Sequence, residues 1–297
     1  LNMYCLLAKE YRSIDKAISR KYIDSVQRFV APIEKAGKKL KPYHLRFKAN
    51  SLTTAANIAF ENHDFEESIR LNLECVRIYE KINIPRLQAI SLSNLGALFS
   101  SLGKNKDAIT YLKKSASLGL RVIADDPSNT DEKLNLADTY INLGGVHAKD
   151  GFVDSSVYFY NYAVTLYSEA NSIDGVAEAY NGLVNGYRMR KDFTAALSYT
   201  QKALTIFKKL DAKMNISYSY INYSDIYLDL KDYTKALKYA DTVGAICADN
   251  NFVDNLLYIY ETKALSYEAM NDYKNELVYL KKHQHLKDSL SLVSNSA

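Results

Sequence analysis

Large apolar, small and aliphatic residues return along this chain at intervals that suit helices rather than strands. The clearest marker reads acidic, aromatic, two variable positions, small, aliphatic, and it stands at 64–69, 192–197, 232–237 and 272–277, beginning Asp64-Phe65, Asp192-Phe193, Asp232-Tyr233 and Asp272-Tyr273. Weaker copies lie at Ala108-Ile109 and Ser156-Val157. With the small position as register, the copies fall at 68, 108, 156, 196, 236 and 276, so the spacing is 40 everywhere except for one interval of 48. One insertion of eight residues accounts for the long interval. Residues 125–132 have the turn composition for it, and Ser128 with Asp131 offers a capping box to the next helix.

Columns at fixed distances from the register show that the repeat has physical content. Sixteen residues before it stand Leu52, Leu92, Tyr140, Tyr180, Tyr220 and Tyr260, and nine before it Ala59, Phe99, His147, Tyr187, Tyr227 and Tyr267. Between these bulky columns, twelve before the register, are Ala56, Gly96, Gly144, Val184, Ser224 and Ala264, where a neighbouring helix needs room. Three after it stand Leu71, Tyr111, Phe159, Tyr199, Tyr239 and Tyr279, and the residue one after is always Ile, Val or Leu. Large-small-large followed by small-aliphatic-aromatic predicts two antiparallel helices that interlock and then stack on the next pair. The expected fold is all-α: a right-handed superhelix of about six hairpins over 46–85, 86–124, 133–172, 173–212, 213–252 and 253–290. Residues 1–42 are expected to add a degenerate capping pair, with Asp24 forty residues ahead of Asp64, and 291–297 a tail. Gly37 should end the last helix of that pair and a new helix begin beyond Pro42; the four Lys of this stretch read as a solvated turn.

The pattern resembles the tetratricopeptide repeat, and Asn94-Leu95-Gly96 and Asn142-Leu143-Gly144 match its Leu-Gly step. The chain departs from that pattern in having no Trp, in a pitch of 40 where the short form has 34, and in Lys263, which interrupts a Leu column. The resemblance implies that the first helix of each hairpin lines a concave wall that binds a protein or an extended peptide.

Composition narrows the alternatives. The chain has 297 residues, of which 47% are hydrophobic, and only 11 Gly and 4 Pro, too few for the turns of a sheet protein. A net charge of +4 argues against tracking nucleic acid, so no nucleic-acid partner is expected. Cys5, Cys75 and Cys247 are too scattered for a disulfide framework or a zinc site. No apolar run approaches the roughly 20 residues of a membrane span, so no membrane contact is expected, and Leu1 in place of an initiator Met suggests a fragment of a longer protein.

The groove positions implied by the resemblance lie eighteen, fifteen, fourteen and eleven residues before the register. They bring forward Asn50, Asn57, Asn94, Asn142, Asn181, Asn185 and Asn222, with Asp225, Tyr218 and Tyr258 toward the end, and Asp229 adds negative charge near them. Asn is a poor interior helix residue, so seven on one wall call for a reason. An amide both donates and accepts, and a ladder of amides can pair with the backbone of an extended peptide; the competing reading has each Asn satisfying neighbouring helix carbonyls or simply solvated on a polar face. Arg188 is the only basic residue expected inside the groove. That argues against a terminal carboxylate as ligand and, with Asp225 and Asp229, for a partner carrying Lys or Arg.

Catalytic patterns are missing: no Gly-x-Gly-x-x-Gly, phosphate loop, Gly-x-Ser-x-Gly or His-Glu-x-x-His occurs, so neither enzyme activity nor a cofactor is expected. His283 and His285 stand two apart and point to different sides of a helix; His147 sits in an aromatic packing column, and Cys75 reads as a buried, inert thiol. The segment Leu286-Lys287-Asp288-Ser289-Leu290 resembles the end of tetratricopeptide arrays in bacterial sensor histidine kinases. That resemblance implies an extracytoplasmic sensor module of a two-component system, with a dimer through the C-terminal helix. The competing readings are a cytoplasmic scaffold or co-chaperone adaptor, which free Cys residues favour, and a peptide-pheromone receptor-type regulator.

Overall fold

The computed structural model describes residues 1–37 and 39–295, with side chains to Leu290. Among the described residues there are fourteen helices and no strand. They fall into two compact units that divide after Asp150. The first holds α1 (Asn2–Tyr11), α2 (Lys16–Lys35), α3 (Pro42–Glu61), α4 (Phe65–Lys81), α5 (Pro85–Ser101), α6 (Asn105–Asp125) and α7 (Thr130–Lys149). The second holds α8 (Val153–Glu169), α9 (Ile173–Met189), α10 (Phe193–Lys209), α11 (Lys213–Asp229), α12 (Tyr233–Asn250), α13 (Val253–Ala269) and α14 (Tyr273–Asn295). Within each unit consecutive helices pack on one another, and the first helices of successive hairpins also touch: α5 with α7, α9 with α11, and α11 with α13. The hairpin expected over 133–172 is shared, α7 belonging to the first unit and α8 to the second.

The marker residues of the repeat have local jobs. Asp64, Asp192, Asp232 and Asp272 each accept a hydrogen bond from the backbone N–H three residues on, at 3.2, 3.0, 3.1 and 3.2 Å, and so cap the second helix of a hairpin. Helices α3–α5 and α7–α13 are each closed by one residue in the left-handed region: His63, Asn83 and Gly103, then Gly151, Asn171, Lys191, Asp211, Lys231, Asn251 and Asn271. These stand twenty residues apart within each run, so the forty-residue repeat is two equal halves of helix plus turn.

The insertion takes a different form from the loop expected at 125–132. Compared with the 17 residues of α4 and α5, α6 has 21 and α7 has 20, and the turn between them occupies only 126–129. Seven of the eight extra residues therefore lengthen helices. The cap is Asn129, which accepts from the Glu132 N–H at 3.0 Å, whereas the Ser128 hydroxyl donates to Asp126. At the N-terminus a helical pair is present, with a first helix of only ten residues. Gly37 follows α2 at φ +67°, and Pro42 is the first residue of α3 rather than the residue before it. Helix α14 continues to Asn295, and the rest of the tail expected over 291–297 lies outside the described residues.

The bulky columns meet as ring stacks. Phe99 and Tyr111, Tyr187 and Tyr199, Tyr227 and Tyr239, and Tyr267 and Tyr279 lie 5.3–5.6 Å apart between ring centres, with planes within 10° of parallel. Such pairs add about 0.5–1.5 kcal/mol each beyond burial. Lys263, the departure from the pattern, is buried: its ammonium meets Asp241 at 2.6 Å and lies 4.9 Å from the centre of the Tyr279 ring. The small column is small for steric reasons, since a Cβ on Gly96 would stand 2.4 Å from Leu112. In α9, Gly175, Gly182 and Gly186 receive Tyr167, Tyr160 and Val157 of α8 at distances a side chain would abolish.

Candidate functional site

Three of the predicted groove amides come together in the first unit. Asn50 and Asn57 on α3 and Asn94 on α5 line one cleft of about 410 Å³. Seven residues separate Asn50 from Asn57, two helical turns, which sets both on one stripe of α3. A third wall is α1, which packs on α2 and α3 and contributes Leu6 and Lys9, with Arg12 at its C-cap. Here the structure corrects the expectation that Arg188 is the groove's one basic residue: two cations enter the cleft from a helix outside the repeat register. Arg12 is engaged by Glu61 at 3.5 Å. Lys9 is exposed and, among the described residues, has no ion-pair partner.

Asn50 is oriented from behind. The hydroxyl of Tyr79, whose ring is buried, donates to Asn50 Oδ1 at 2.9 Å, and burial raises the Tyr79 phenol well above its ordinary pKa, so it keeps the proton it donates. The acceptor end of the amide is thereby used, and Nδ2 is its free end. Asn94 reaches the buried Asn72 over 3.5 Å, and Asn57 has no hydrogen-bond partner among the described residues. A smaller pocket of about 80 Å³ shares Asn57 and Asn94 and is floored by Phe60, Ala97 and Leu98. Beside the larger cleft, Cys75 is fully buried, with its thiol pushed up to about 11 by burial, which keeps it in the unreactive protonated form.

Asn142, on α7, is half-buried and is not among the residues of that cleft. In the second unit the predicted residues engage one another. Asn222 Nδ2 donates to Asn181 Oδ1 at 3.2 Å, joining α11 to α9. Arg188 binds Asp225 at 2.8 Å and Asp229 at 2.9 Å, and the Tyr258 hydroxyl donates to the same Asp225 oxygen at 2.8 Å. Asp225 is buried, and burial pushes its carboxyl up against the opposing pull of Arg188. These contacts correct the reading of Asp225 and Asp229 as charges held out to a cationic partner, because the cation is Arg188 itself. Asn185 and Tyr218 are exposed.

Sequence columns missed Lys9 and Arg12 because α1 has no counterpart in the repeat register. Leu6, Lys9 and Arg12 at intervals of three, one stripe of a short helix, were the available signal. Elsewhere, His147 is half-buried, and burial together with Lys113 holds its imidazole below the ordinary value. His285 is exposed, and no cluster of three or more His, Cys, Asp or Glu able to hold a metal is found among the described residues. No helix among them is long and apolar enough to cross a membrane.

Paired antiparallel helices, most of them 17 to 21 residues long, joined in most cases by a left-handed residue and interlocked through small columns, define an α-helical repeat protein. Family models of the tetratricopeptide repeat match residues 47–118 and 176–210. The matched segments carry tetratricopeptide repeats, and the chain has the all-α fold of such repeats. No curated protein sequence matches it. Among solved structures it is similar to the apo form of RapI, at 11% identity over 98% of each chain with a TM-score of 0.71. It is also similar to a Rap protein complexed with Competence and Sporulation Factor, at 11% identity over 92% of this chain and 84% of that one, TM-score 0.62. A third is a signal transduction ATPase with numerous domains from Pyrococcus horikoshii that carries a tetratricopeptide repeat sensor: 18% identity over 99% of this chain and 45% of that one, TM-score 0.65. At these identities the likeness is one of fold.

Proposed function

We propose that this chain is a protein- or peptide-binding module whose ligand lies, as an extended segment, in the cleft between α1, α3 and α5. The observation that carries the reading is the convergence of Asn50, Asn57 and Asn94 on one cavity large enough for a few residues of peptide. Side-chain amides there can take over the alternating N–H and C=O groups of an extended backbone, each bond contributing about 0.5–1.5 kcal/mol net. Leu6, Leu87 and Ile90 line the same cleft and offer an apolar side chain a place to leave water. The fold neighbours support this reading in kind: one is a Rap protein complexed with a factor, another uses such repeats as a sensor.

The test is selection of binders from a random displayed peptide library against the whole chain, followed by titration of Asn50→Ala/Asn57→Ala/Asn94→Ala. Loss of three such bonds weakens binding at least tenfold, with the helical circular dichroism retained. Unchanged affinity removes the reading.

We infer further that the array is the signal-receiving part of a longer signalling protein, of the sensor histidine kinase kind. Its support is the Leu286-Lys287-Asp288-Ser289-Leu290 segment on α14. The downstream sequence of the parent gene tests it: a membrane span and a kinase core agree with the reading, and an unrelated effector overturns it.

A further inference from the structure

Among the described residues α14 packs on α13, and no following helix covers its outer face. On α12 that face consists of Ala240, Val243 and Cys247, all buried, and Phe252, Leu256 and Ile259 of α13 pack on them. Beside them the Lys263 ammonium donates to Asp241 at 2.6 Å. Phe252, Leu256, Ile259 and Lys263 follow one another at intervals of four, three and four, which sets them on one stripe of the helix. Forty residues on, the same positions of α14 are Leu280, His283 and Lys287, with Lys281 in the place of Asp241. Leu280 is 46% exposed, whereas its counterparts Asn72, Leu112, Tyr160, Thr200 and Ala240 are all buried. Lys281 and Lys287 are exposed and have no ion-pair partner among the described residues. The charge is thus reversed, since α14 offers an ammonium where α12 offers a carboxylate. The other end of the stripe is equally informative. Where α7 lies on α6, the first residue of the stripe is Glu132, and it sits against Gly119, the counterpart of Lys287. A carboxylate in the place of Glu132 would meet an ammonium on α14.

We propose that the outer face of α14 docks one helix of a partner protein, an amphipathic helix whose stripe reads acidic, apolar, apolar, acidic at positions i, i+4, i+7 and i+11. One carboxylate meets Lys287 and the other Lys281, while the two apolar residues cover Leu280 and the half-buried His283. A stripe ending in Lys or Arg is repelled at both ends, so the surface selects its partner by charge and holds it by burial. No segment of the 297 residues carries such a stripe, so the occupant is a partner and not a second copy of this chain. The surface lies on the last hairpin and is independent of the cleft between α1, α3 and α5.

The test pans the full chain with a displayed library of helix-forming peptides, about 18 residues of Ala and Gln with the four stripe positions randomised. Enrichment of Asp or Glu at the outer positions and of apolar residues at the inner two supports the proposal. Binding of an enriched peptide should fall about tenfold in Lys281→Glu/Lys287→Glu, with the helical circular dichroism retained, and weaken as salt is raised. That variant should in turn bind the same peptide with Lys at its outer positions. Affinity should be unchanged in Asn50→Ala/Asn57→Ala/Asn94→Ala, and a loss there assigns the peptide to the cleft and overturns the proposal. Absence of enrichment, enrichment without acidic residues, or indifference to the charge reversal overturns it as well. So does self-association of the chain, measured by light scattering, that Lys281→Glu/Lys287→Glu abolishes, because the face is then occupied by a second copy.

Discussion

Glu132 fills a space that Gly119 leaves empty. At this position α4, α8 and α10 carry Tyr79, Tyr167 and Phe207, all buried, and α12 the buried Cys247, whereas α6 has Gly119. The extra turn at the start of α7 brings Glu132 into the gap, with Oε1 3.0 Å from where a Gly119 Cβ would stand and Leu136 beside it. The carboxyl is fully buried and Oε1 has no hydrogen-bond partner among the described residues. Asn135 donates to the other oxygen at 3.4 Å, and the Arg86 guanidinium, 3.9 Å away, is held more closely by Asp131 at 2.7 Å.

Burial raises the Glu132 pKa above the ordinary carboxylate value, so the folded state keeps a proton that the unfolded chain releases near pH 4.3. Stability therefore falls as pH rises from about 4.3 through the raised value, and the penalty is complete above it. Glu132→Met should raise stability at pH 8 by about 1–3 kcal/mol, and by less at pH 4.5. Urea denaturation at the two pH values checks this, and an equal effect at both would show that the carboxyl titrates normally.

Arg188 neutralises a buried Asp225, so removing it alone should be costly. Arg188→Met is expected to destabilise the chain by about 3 kcal/mol, because Asp225 is left buried with only Tyr258. Adding Asp225→Asn should recover most of that loss. A double-mutant cycle in denaturant measures the coupling.

Lys231 closes α11 at φ +61°, a left-handed conformation that an L side chain adopts at a cost. Lys231→Gly should stabilise by roughly 0.5–1 kcal/mol after the added freedom of the unfolded chain is subtracted. The expected readout is a higher thermal midpoint with unchanged circular dichroism. The same change at Lys191, φ +59°, should act alike.

The fold was legible because its determinants recur: capping Asp residues, small columns and ring pairs repeat at forty residues, and each copy supports the others. The lengthened helices were not legible, since Asp126, Pro127 and Asn129 mark a turn without saying how short it is, and Glu132 at a helix start reads as an exposed capping residue. For the site, the offsets named Asn50, Asn57 and Asn94, which line one cleft. They could not say which side chains would meet: the pairing of Arg188 with Asp225 depends on neighbouring hairpins, 37 residues apart. Lys9 lay outside the register and so outside any column.

The central claim is that ligand binds where α1, α3 and α5 enclose the three amides. Hydrogen–deuterium exchange of the full chain, with and without a selected peptide, tests it most directly, because bound segments exchange more slowly. The account predicts added protection in α1, α3 and α5 and none in α9, α11 and α13. Protection confined to α9, α11 and α13 would contradict it.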